Sequence, residues 1–107
     1  MNTFKEHIEK FINMTNDNEL VWKEITNFHH EFGCSYQCEY KNTSITLKHF
    51  SNFGIAFNTF SIDDVNLEVT EKQTLFSDLS NLFYSITKQI ENKEIERMLK
   101  VLSKLDD

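Results

Sequence analysis

Residues 32–41 read Phe32-Gly33-Cys34-Ser35-Tyr36-Gln37-Cys38-Glu39-Tyr40-Lys41, and their period is two. Phe32, Cys34, Tyr36, Cys38 and Tyr40 fall on one face; Gly33, Ser35, Gln37, Glu39 and Lys41 fall on the other. One apolar and one polar face is the pattern of a strand between a core and water, and it favours an antiparallel sheet. Working outward, Asn42 marks a tight turn. Ile45, Leu47 and His49 then alternate against Ser44, Thr46 and Lys48 as the second strand of a hairpin. A loop at Ser51-Asn52-Phe53-Gly54 leads to a third strand over Ile55 to Ile62. Its apolar alternation slips from Ile55 and Phe57 to Phe60 and Ile62, as a bulge would make it. Asp63-Asp64 turns the chain, and Val65, Leu67 and Val69 alternate with Asn66, Glu68 and Thr70 as a fourth strand.

Helical spacing flanks these strands. Thr3 followed by Glu6 reads as a capping box, with Phe4, Ile8, Phe11 and Ile12 behind it, so a helix is expected over residues 4–14. Between Glu19 and Glu31 the spacing of Val21, Ile25, Phe28 and Phe32 favours a second helix, although Leu20 and Trp22 also alternate as a strand would. After Thr70, the residues Leu75, Phe76, Leu79, Leu82, Phe83, Ile86 and Ile90 form the widest apolar stripe in the chain. Ile95, Met98, Leu99, Leu102 and Leu105 form another. The step of five from Ile90 to Ile95 puts the second stripe on a different face. A break near Asn92 would explain it; so would one long helix with two faces. The break is the expectation.

The expected fold class is therefore α+β: a four-stranded antiparallel sheet with an N-terminal helix, or two, and C-terminal helices packed on one face. At 107 residues it is read as a single domain over 1–107, with enough chain for a core that needs no staples. Ten Phe stand against one Trp and three Tyr, and Phe has no polar tip, so most of these rings must be buried or form a sticky surface. No Pro, two Gly and abundant Asn, Lys, Ile and Phe have the flavour of AT-rich coding, as in a low-GC bacterium or its mobile elements.

No apolar run approaches ~18 residues, so neither a signal segment nor a membrane span is expected. Two cysteines without a secretion signal read as reduced thiols, and the expected location is cytoplasmic. The net charge is -6 and is concentrated at Asp63, Asp64, Glu68, Glu71 and Asp78. Nucleic-acid affinity rests on neutralising phosphates, and no basic stripe exists to do so. Direct DNA or RNA binding is not expected.

His29, His30, Cys34, Cys38 and His49 suggest a zinc site at first glance. The spacing opposes it. In one strand Cys34 and Cys38 stand about 13 Å apart at roughly 3.3 Å per residue, whereas two thiolates on one zinc each bind at about 2.3 Å. The same separation forbids a disulfide. A Cys–His nucleophile pair lacks any glycine-rich turn to hold an oxyanion, so these thiols are read as core. His49 is read as a hydrogen-bonded core or rim histidine. No metal, cofactor or catalytic residue is assigned.

Two features remain. Asp63, Asp64, Glu68 and Glu71 would form a negative patch that steers a basic partner, if they lie together. Ile95, Met98 and Leu102 mark an apolar helix face that is either core or interface. The function expected is a non-catalytic protein-binding module. An inhibitor or immunity-type protein of a phage or mobile element would fit, anti-CRISPR-like or toxin-immunity-like, with a basic protein as partner. The alternative is a structural or regulatory homo-oligomer assembling through its C-terminal helices.

Overall fold

The computed structural model describes residues 3–25 and 33–106. Helix α1 (Phe4–Asn16) is followed by β1 (Lys23–Glu24), β2 (Gly33–Tyr40), β3 (Thr43–Asn52), β4 (Ile55–Ile62), β5 (Val65–Thr70) and the 29-residue helix α2 (Leu75–Ser103). The strands form one antiparallel sheet in the order β1-β2-β3-β4-β5, a meander, so the α+β reading holds with five strands in place of four. Both helices pack on one face of the sheet, where Tyr36, Cys38, Ile45, Leu47, Phe60 and Val69 meet Ile8, Phe11 and Met14 of α1 and Leu79, Leu82 and Ile86 of α2. Burial of each large side chain contributes about 1.5–3 kcal/mol. The aromatic rings seat α1: Phe4 meets Phe60 edge-on at 5.9 Å, and Phe11 meets Tyr40 edge-on at 6.4 Å.

Local chemistry sets the element ends. Thr3 Oγ1 accepts the Glu6 backbone N–H at 3.2 Å, the expected N-cap of α1. Three two-residue turns join β2 to β5. Lys41 and Asn42 both take positive φ, as do Phe53 and Gly54, and Asp63 sits at φ +53. Two positive φ values in a row are what a type I′ turn requires, and its twist matches that of the strands it joins.

Three expectations are corrected. The second helix expected from Glu19 is absent as far as residue 25, because Leu20 and Trp22 point inward, 1 and 2% exposed, while Val21 points out. Period two wins there because side chains fasten it. Gln89 Oε1 of α2 accepts the Trp22 backbone N–H at 2.9 Å, and Gln89 Nε2 donates to the Leu20 carbonyl at 2.6 Å. The remainder of that expected helix, with Phe28, His29 and His30, lies outside the described residues.

Strand β4 carries no bulge: it pairs with β3 in unbroken register from Asn52–Ile55 to Ile45–Ile62. The apolar alternation slips for a chemical reason. Phe57 faces outward and stacks on Phe50, 5.1 Å between ring centres, while polar Asn58 takes the inward position and is fully buried. Asn58 Nδ2 donates to Ser80 Oγ at 3.0 Å and to the Phe76 carbonyl at 3.3 Å. Its Oδ1 is then left to accept from His49 Nδ1 at 2.7 Å, which assigns the ring proton to Nδ1.

Helix α2 does not break near Asn92. It runs unbroken from Leu75 to Ser103, so the two out-of-phase stripes lie on one helix.

Candidate protein-interaction surface

The first two-thirds of α2 use one face. Leu79, Leu82, Ser85, Ile86 and Gln89 are buried, and Phe83 and Ile90 pack against the core. Lys93 is the last residue of the helix with partial cover; residues 94–106 are all exposed. The last ten helical residues therefore extend about 15 Å past the body, at 1.5 Å per residue. At about 100° per residue, the step of five from Ile90 to Ile95 turns the stripe about 140° around the axis. Ile95, Met98, Leu99, Val101 and Leu102 lie on this back face with 46–57% of their surface in water, and Leu105 with 75%. Tyr84, 61% exposed, begins the same line at heptad spacing, with Lys88 Nζ 5.6 Å from its ring centre.

The acidic residues do not converge. Asp63 belongs to its turn: Oδ1 accepts the Ser44 backbone N–H at 3.1 Å, and its own N–H donates to the Ser44 carbonyl at 2.8 Å. Asp64 is exposed beside it. Glu68 stands on the outer face of β5 opposite Thr59. Glu71 follows the other end of that strand, where its N–H donates to the Ala56 carbonyl at 3.1 Å. Seven residues of extended chain separate Asp64 from Glu71, about 23 Å. The four acids occupy a corner, a face and an end, spread along the length of β5.

The thiols are free, Cys38 buried and Cys34 partly so. Burial pushes the Cys38 thiol up to about 12, which leaves it protonated and poorly nucleophilic at neutral pH. Cys34 pairs across the ladder with His49, whose Nδ1 is held by Asn58 and whose ring lies 4.8 Å from that of Phe83. Among the described residues no three His, Cys, Asp or Glu side chains gather as metal ligands.

Sequence reasoning missed Phe53. It stands at the tip of the β3–β4 turn, 95% exposed, at φ +51. The pairing of an aromatic residue with Gly54 in a two-residue loop was the available signal. Comparisons with protein-family models, with curated proteins and with solved structures find no match to this chain. No helix is long and apolar enough to cross a membrane among the described residues.

Proposed function

We propose that this protein is a non-catalytic binding module whose recognition surface is the back face of α2 from Ile95 to Leu102, continued by Leu105 just past the helix end. The observation that carries the reading is the exposure of six large apolar side chains on a helix segment that leaves the body. Scattered surface apolar residues are ordinary, but a contiguous stripe marks an interaction site. Aliphatic residues at helical spacing are the usual way one helix docks against another surface.

The reading transfers weight from the acidic residues, which are dispersed, to the helix. Its role is that of an inhibitor or immunity-type protein, which occupies a surface rather than reacting with it, and free thiols suit a reducing cytoplasm. A tagged copy used as bait, in a lysate that also holds the untagged chain, tests the surface. Capture should fall away when Ile95 and Leu102 are both changed to Lys, whether the captured species is the untagged copy or another protein. Recovery that is identical for the native bait and the variant would overturn the reading.

A further inference from the structure

The back face of α2 carries its own complement. We infer that residues 94–105 pair antiparallel with the same segment of a second copy of this chain, giving a two-fold dimer joined through the projecting helices. This rests on the reading of that face as a binding surface, and it names the occupant.

Ile95, Met98, Leu102 and Leu105 are spaced three, four and three residues apart. That is the a/d spacing of a helix–helix seam. A two-fold axis beside Lys100 sets Ile95 of one copy against Leu105 of the other, and Met98 against Leu102. Leu99 and Val101 flank this seam, one on each side. The six side chains, each with on the order of 100 Å² exposed, offer roughly 600 Å² per copy, so two copies that covered them fully would reach the ~1,200 Å² at which specific interfaces begin.

Charge selects the antiparallel arrangement. The segment's first part holds Glu94 and Glu96; its second holds Arg97, Lys100 and Lys104, with Asp106 and Asp107 following it. Parallel pairing would set like on like. Antiparallel pairing sets each acidic half beside the other copy's basic half and brings Glu94 to within two residues, about 3 Å along the axis, of the level of Lys104 of the second copy, twice by symmetry. Shape agrees. The body ends at Lys93, and in this register Lys93 falls beyond Leu105 of the second copy. The two bodies therefore lie at opposite ends of the pair and do not collide. A parallel pair would bring both bodies to the same end. Pairing also supports a ten-residue projection that is too short to be stable as a lone helix in water.

Sedimentation of the purified full chain, from about 1 to about 500 µM, tests this, because a dimer's weight-average mass rises with concentration. The native chain should pass from monomer to dimer, and Leu102→Lys should stay monomeric with the circular-dichroism spectrum of the dilute native monomer. Glu94→Lys alone and Lys104→Glu alone should each weaken the dimer about tenfold, and the two together should restore it. A native chain that is monomeric throughout overturns the inference, and stripe-dependent capture of another protein would then leave the surface reading standing. A dimer indifferent to Leu102→Lys overturns it as well. A dimer that needs Leu102 but is not restored by the double charge exchange overturns the antiparallel arrangement.

Discussion

The Gln89 side chain is 5% exposed and joins three parts of the chain through one amide. Its Oε1 accepts from the Trp22 backbone, and its Nε2 donates to the carbonyls of Thr15 at 2.9 Å and Leu20 at 2.6 Å. The Trp22 indole N–H donates in turn to Thr15 Oγ1 at 2.9 Å, whose hydroxyl donates to the Phe11 carbonyl at 2.7 Å. A buried donor or acceptor left alone costs about 1–3 kcal/mol, so Gln89→Ala should lower the unfolding free energy by about 2–4 kcal/mol in urea titration. Gln89→Leu separates the causes, because it keeps the volume and removes the amide. It should cost at least 2 kcal/mol, roughly the hydrogen-bond share; near-native stability would mean that the amide contributes only packing. Phe53 presents the opposite case. It occupies the left-handed region, which costs an ordinary residue roughly 1 kcal/mol, with its ring almost wholly in water. Phe53→Asn places Asn before Gly54, the preferred type I′ pair, and should raise the urea midpoint by the equivalent of about 0.5–1 kcal/mol. No gain, or a loss, would show that the Phe53 ring has a stabilising contact that outweighs the backbone cost.

Among the elements, strand β2 was legible because its alternation is unbroken and each apolar residue at the inner positions is buried or packed on the core. Strand β4 was legible in extent but not in regularity. Its inward Asn58 depends on partners from β3 and α2, and a local pattern holds no information about partners 18 and 22 residues away. For the same reason Lys23 and Glu24 were not read as a strand: the fastening of that segment to Gln89 spans 67 residues. In α2 the step from Ile90 to Ile95 was visible, and one continuous helix with two faces answers it. Whether the second face is covered cannot be read from periodicity, since a buried and an exposed stripe have the same spacing. The acidic candidates lie farther apart than their closeness in sequence suggests for a related reason: closeness along the chain in an extended strand is distance in space. The helix's two faces lead to a prediction about its end. No side-chain hydrogen bond joins the described residues after Glu96 to the body. Ending the chain at Glu96 should therefore change the stability of the dilute monomer by less than about 0.5 kcal/mol, read from the urea midpoint. A loss of 2 kcal/mol or more would mean that this segment packs on the body.

At the scale of the whole molecule, the core holds, among the described residues, two acids that must stay protonated. Cys38 and Tyr36 lie on the inner face of β2, 4 and 7% exposed. Burial holds the Cys38 thiol up from 9.0 to about 12. Burial first, and the neighbouring Cys34 second, raise the Tyr36 hydroxyl from 10.0 to about 12. Both shifts have the same sign: the folded state holds each proton more tightly than the unfolded chain does. Their contribution is therefore complete below pH 9.0, where both states are protonated, and it is lost as pH rises toward about 12. Above its unfolded value each group lowers the stability by about 1.4 kcal/mol per pH unit. The two groups begin at different points, and this makes them separable. The native chain should lose stability from about pH 9, through Cys38, and more steeply from about pH 10, when Tyr36 joins. Cys38→Ala removes the first part and should stay level to about pH 10, although the cavity lowers its stability at every pH by a constant amount. Urea midpoints at closely spaced alkaline pH values, for both proteins, give the two onsets directly. A native curve level to pH 11, or an onset unmoved by the substitution, would show that these groups reach water in the folded state and that the inner face of β2 is not sealed by α2.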